Sequence, residues 1–253
     1  MADSLIDVGN GFYNVRGSFR ILGVVDIGTQ MSLVRKADGR FLVLDGYTID
    51  GDLARKVMDL TDGGEAVDAV LHLHPFHTLH VKATHERFPA AKHYGTARHK
   101  RKAPEIPWEE PETDSEELHA LFAEDLTFSV PRGVDLIPEN ENLHFASVLA
   151  VHPASRTLHV DDTLMFNKLP IVGGVGFHPT LKQVLQPRPG AVAEFRAWTD
   201  ELVALCEDVD NLCAAHTRPL LNVSQDGPPL AARVRDAIGK IDKTLAGHEK
   251  KYG

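Results

Sequence analysis

The sequence predicts a layered α/β (α+β) protein, and three observations carry that expectation. β-branched and aromatic residues dominate the first stretches, FYNVRGSFRILGVV and MSLVRK. Apolar runs of strand length then alternate with helical patterns as far as residue 124. After residue 124 the same alternation begins again, and two such blocks argue for sheets packed against helices.

Each element follows from local chemistry. KADGR places Asp38-Gly39 between two strand patterns, a tight-turn signal. FLVLDG ends a strand at Asp45, and DGDLARKVMDLT follows as a helix with Asp50 or Asp52 as its N-cap. AVDAVLHLH is apolar up to its histidines, as a buried strand is. HTLHVKATHERF has a helical pattern, AAKHYG reads as a short strand, and residues 103–117, with three prolines, read as a loop. SEELHALFAEDL is a short helix. Strand patterns return in LTFSV, NLHFASVLAV and TLHVDDTLMF, and LPIVGGVGFHPT reads as a loop. GAVAEFRAWTDELVALCEDV is a helix and NLCAAH a strand ending in His216. Leu230, Val234, Ile238, Ile241 and Leu245 recur at helical spacing and give the last helix one apolar face.

Composition narrows the function classes. The chain has 253 residues and a net charge of −9, a poor match for a protein that binds nucleic acid through its phosphates. The basic run RHKRK at 98–102 precedes an acidic, proline-rich stretch and reads as a solvated loop with local charge compensation, a binding patch for an anionic substrate being the alternative. No apolar run is long enough to span a membrane. The acidic start lacks the features of a secretory leader, and Cys206 and Cys213 read as core thiols. These features predict a cytoplasmic protein.

The chemistry concentrates in DAVLHLHPFHTLHVKATH, residues 68–85. His72 and His74 stand two apart at a strand end, where the strand period turns them to one side. His77 follows three residues later. Converging imidazoles at a strand end make the start of a zinc or iron site. His80, His85, His93 and His99 lack this spacing and are expected in solvent or behind the ligands. Further candidates close other strands: Asp45, His144, Asp161, Asp162 and His216.

In this order FLVLDG, HLHPFH, LHFAS, TLHVDDTLMF and CAAH resemble the metallo-β-lactamase fold superfamily. The matching residues are Asp45, His72, His74, His77, His144, Asp162 and His216. His144 is preferred over His152 and His159 because it stands 18 residues before Asp162. The resemblance implies a single domain over 1–253, a four-layer αββα sandwich with halves of about 1–124 and 125–253. It implies a metal site from His72, His74, His77, His144, Asp162 and His216, with Asp162 also as catalytic base. Phe76 stands where the family has a metal-binding aspartate, so one zinc ion is expected rather than two, and an aspartate at 76 is expected to raise the affinity for a second. Iron is the other candidate metal.

The function implied is metal-dependent hydrolysis of a small-molecule ester, thioester, lactone, amide or phosphodiester. Two alternatives share the fold. One is a mononuclear iron oxygenase, with His72, His144 and Asp162 as its triad. The other is a non-catalytic protein with a degenerate metal site. Asp161 is expected to face away from Asp162 and to cap a turn or pair with Arg156. The sequence is silent on oligomeric state.

Overall fold

The computed structural model describes residues 3–21, 24–167, 173–216, 218–223, 225 and 227–253. They form two compact units, one of 1–127 with 152–155 and the other of 128–151 with 156–253.

The first unit is built on a six-stranded sheet. Its strands are β1 (Ser4–Gly9), β2 (Phe12–Gly17), β5 (Thr29–Arg35), β6 (Phe41–Leu44), β7 (Val67–Leu71) and β8 (Lys92–Tyr94), side by side in that order. A small hairpin of β3 (Arg20–Ile21) and β4 (Val25–Asp26) stands apart from it. Neighbours are antiparallel from β1 to β6, where short connections suffice. They are parallel from β6 to β8. Parallel neighbours need crossovers, supplied by α1 (Gly51–Leu60) and α2 (Val81–Arg87).

Leu53, Ala54 and Val57 of α1 join Val15, Met31, Leu33, Phe41, Val43 and Val70 of the sheet in one apolar core. The strand period turns Asn14, Arg16, Gln30 and Ser32 to the other face. There they are buried and bonded to each other: the Asn14 amide donates to Gln30 (3.2 Å) and Ser32 (2.9 Å), and Arg16 donates to Gln30 (3.0 Å). The Asp38-Gly39 turn forms as expected, with Gly39 at φ +88° and Lys36 N–H donating to Arg40 O.

Two more helices complete this unit, α3 (Ala97–Lys102) and α4 (Glu116–Leu121). The second unit holds a four-stranded sheet in the order β14 (Asn211–Ala214), β11 (Thr157–Val160), β10 (Leu149–His152), β9 (Thr127–Ser129). It also holds an antiparallel pair, β12 (Leu164–Asn167) and β13 (Gly174–Phe177). Its helices are α5 (Leu181–Val184), α6 (Ala191–Leu205) and α7 (Leu230–Tyr252). Phe145, Phe177, Phe195 and Trp198 form an aromatic core, with Phe195 5.3 Å from Trp198 between ring centres. Leu230, Val234 and Leu245 of α7 are buried in it and Ile238 and Ile241 pack against it, as their spacing predicted.

Several local expectations are corrected. The acidic start contains β1, paired along β2. RHKRK is helical rather than a loop: α3 buries Arg98 and His99, although the expected charge compensation is present between Lys100 and Glu110 (2.6 Å). Strand structure in NLHFASVLAV begins only at Leu149. Before it, the Thr163 hydroxyl accepts from Ser147 N–H and donates to Phe145 O, both at 3.0 Å, so a side chain takes the place of a strand partner. The Gly-rich loop contains β13, held by pairing with β12. Both cysteines are buried and free, as expected, though Cys206 lies in a 3-10 turn beyond α6. No helix among the described residues is long and apolar enough to cross a membrane.

Candidate metal-ligand groups

In the first unit the sheet delivers the histidine segment just past β7. Asp45 ends β6 in the left-handed region, φ +58°, and its Oδ1 accepts from Leu73 N–H (2.8 Å) and His74 N–H (3.4 Å). This clamps the backbone between His72 and His74. Gly46 is required beside it, because a Cβ there would lie 2.5 Å from the Thr84 hydroxyl.

His72 and His74 keep different company. His72 is fully buried, with Nε2 3.4 Å from His93 Nδ1 and its ring 5.3 Å from His99 and 5.4 Å from Trp108 between centres. Burial first, and the neighbouring His99 and His93 next, hold the His72 imidazole well below its ordinary pKa. Burial likewise pushes His93 down to about 4. Both rings are therefore neutral at pH 7.

The His74 ring stacks on His77 at 4.1 Å and 17°, with Phe76 edge-on to it at 6.1 Å. His74 Nδ1 accepts from Phe76 N–H (3.0 Å), which occupies the lone pair of that nitrogen. A metal at Nδ1 would require that bond to be given up. His74 and His77 nonetheless offer ligand atoms within 4.8 Å of each other.

The second unit gathers three expected residues. Asp162 follows β11 and is 2 % exposed. His216, just beyond β14, places Nε2 2.8 Å from Asp162 Oδ1, and His144 Nδ1 lies 3.9 Å from Asp162 Oδ2. β11 and β14 run parallel and adjacent, which brings Asp162 and His216 to the same end of the sheet. His144 Nε2 donates to Glu141 O (3.0 Å), which turns Nδ1 toward the carboxylate. An imidazole whose other N–H is tied to a carbonyl is the usual form of a metal-bound histidine. His144 is further fixed by Thr180, whose hydroxyl donates to His144 O (2.5 Å) and meets His178 Nδ1 at 2.7 Å. The HPT spacing was the only sequence signal for that support.

Asp161 is as buried as Asp162, and it and His159 offer ligand atoms within 4.8 Å of each other. The suggested pairing of Asp161 with Arg156 is not formed: Arg156 pairs with Asp210 at 2.8 Å, because residue 156 takes a left-handed turn, φ +53°. Sequence reasoning also missed Arg98. Its guanidinium carbon lies 4.3 Å from the centre of the Phe76 ring.

No family model and no curated protein matches the chain. Solved structures do. The metallo-β-lactamase FIM-1 from Pseudomonas aeruginosa, in a mono-zinc form, is similar at TM-score 0.61 and 10 % identity, over 95 % of this chain and 96 % of that one. A metallo-β-lactamase from Erythrobacter litoralis gives 0.61 and 13 %, over 94 % and 96 %. One from Hirschia baltica gives 0.58 and 13 %, over 94 % and 98 %. At such identities the likeness is one of fold. The chain has the metallo-β-lactamase fold, and the mixed α/β class expected from the sequence holds.

Proposed function

We propose that the chain is a metal-dependent hydrolase of a small ester, thioester, lactone, amide or phosphodiester. Its ion-binding chemistry is assigned to the donor set of the second unit, Asp162 with His144 and His216. The donor types fit one borderline dication such as zinc. The observation that supports the reading is the convergence of His144 Nδ1 (3.9 Å) and His216 Nε2 (2.8 Å) on the buried Asp162 carboxylate.

A bound ion would supply a water of lowered pKa and polarise the oxygen of the scissile group. The chain's own groups then have separate tasks. His216 Nε2 lies 2.8 Å from Asp162 Oδ1. The Asp162 carboxylate would orient the water and take its proton. Glu141 O and Thr180 keep the His144 ring turned toward the carboxylate.

The test is elemental analysis of protein purified without added metal, with a screen of generic esters, thioesters and phosphodiesters. One zinc per chain, with hydrolysis that disappears in His144→Ala, is expected. Iron would point to the oxygenase alternative. No metal and no turnover would leave a binding protein on this fold.

A further inference from the structure

The second unit carries a cavity of about 780 Å³ between α5, the residues that follow it and the last turns of α7. Cavities of about 300–1,000 Å³ have the size of small-molecule sites. None of Asp162, His144 and His216 lines it. Its charge is one-sided: Lys182, Lys243 and Lys251 stand against Asp135, three cations to one anion, although the whole chain carries −9. Other lysines of the chain have carboxylate partners, as Lys36 has Asp68, Lys100 has Glu110 and Lys240 has Asp236. Among the described residues the three lysines of the cavity form no ion pair.

Helix register spaces the charges. Lys243, Gly247 and Lys251 follow each other at steps of four on α7 and share one face. The two lysines are therefore about 12 Å apart along the axis at 1.5 Å per residue. Between them the backbone is bare. A Cβ at Gly247 would meet nothing within 4 Å, so packing does not require the glycine there, and glycine weakens a helix interior. The adjoining row is anchored. His248 is 9 % exposed and its Nε2 donates to Gln186 O at 2.9 Å. The His248 ring lies 4.7 Å from Tyr252, and Lys251 Nζ lies 4.6 Å from the centre of the Tyr252 ring.

We propose that this cavity binds a small molecule bearing a chain of phosphates, which lies over Gly247 and meets Lys243 and Lys251 at its two ends, with Lys182 contributing from α5. Lysine binds phosphate as a point charge on a flexible stem. One phosphate group engages one such charge, whereas a chain of them engages both ends of the row. The site shares no residue with the proposed metal donors, so the two readings stand or fall separately.

The experiment titrates inorganic tripolyphosphate and orthophosphate into the full chain by calorimetry at physiological ionic strength. Phenanthroline, a neutral chelator, is present throughout so that no metal holds the phosphates. Wild type should bind one tripolyphosphate per chain, about tenfold or more tighter than orthophosphate. Lys243→Gln/Lys251→Gln should weaken tripolyphosphate about tenfold or more. Lys56→Gln/Lys82→Gln, the same loss of charge in the first unit, should change it less than about twofold. Gly247→Glu places a carboxylate in the bare stretch. It should weaken binding as much as the lysine pair does while unfolding at the same or a higher temperature, so it decides the matter if the lysine variant does not fold. No binding by wild type would overturn the proposal, as would orthophosphate binding as tightly as tripolyphosphate, equal weakening in the two lysine pairs, or undiminished binding in Gly247→Glu.

Discussion

Both units gather histidines, but the first buries them and the second leaves them partly exposed beside a buried carboxylate. In the first unit His72, His93 and His99 pack on each other and on Trp108. In the second, His144 and His216 flank a carboxylate. An imidazole among rings is kept neutral and serves as packing, whereas an imidazole beside a buried carboxylate marks a place where positive charge is stabilised. The proposed function places the chemistry in the carboxylate-flanked group, and the ring cluster is the contrast that tests it, although both are made of the same residue type.

The sharpest way to break it is Asp162→Asn. Loss of the carboxylate should lower hydrolysis about a hundredfold or more and remove the bound ion, measured by turnover and metal content. Asp161→Asn is the control. Its burial makes a stability cost expected, but with metal content retained. If Asp161→Asn is the more damaging to metal content, the assignment of the two aspartates is reversed.

His93→Ala tests the other side. It removes a fully buried ring and should cost about 2–4 kcal/mol of stability by denaturant unfolding, as large-to-small core changes do. Turnover per folded molecule should be unaffected. A large loss of bound metal in this variant would move chemistry into the ring cluster.

The pH dependence of stability sharpens the contrast further. His93 has a folded pKa of about 4 against an ordinary 6.5, and His72 is shifted in the same direction. The unfolded chain therefore binds more protons between those values. Stability should be full above about pH 6.5 and fall as the pH drops toward 4, with His93 contributing on the order of 3 kcal/mol. His93→Gln should flatten that slope in unfolding measured across the range. An unchanged slope would show that the ring cluster does not carry it.

The smallest effect is expected at the surface. The Arg132–Glu201 pair in the second unit has two contacts, at 2.9 and 2.6 Å, but both side chains are largely exposed. Its removal by Glu201→Gln should cost about 0.5 kcal/mol and less in high salt, by thermal unfolding.

The sequence made the donors visible better than their surroundings. Asp162 and His216 stand just beyond strand ends, which can be located by pattern, whereas His144 lies five residues before its strand begins. The ring cluster cannot, because His72, His93, His99 and Trp108 come from four separate segments and only the folded chain makes them neighbours. Helix α3 was hidden by its own charge. Its capping box is closed by His99, where a glutamate or glutamine would have been the recognisable signal. β13 was hidden by glycines, which weaken a strand, and is held by its partner rather than by propensity. Phe76 was legible as a departure, but its contact with Arg98, 22 residues further along, was not.

The first unit is not one continuous piece of chain, and its tetrapeptide His152–Ser155 has a consequence during synthesis. The His152 ring lies tilted beside Phe12, 6.0 Å between ring centres, so one of the first strands waits for a residue made much later. At roughly 5–20 residues per second of translation, the ribosome has emitted Thr127 some seconds before this last part of the unit appears. The nascent first unit spends that interval incomplete, and a fragment ending at residue 127 would be frozen in that state. Expression of such a fragment should give a product that binds chaperones and is cut by proteases, while adding the chain through Ser155 should relieve both in part.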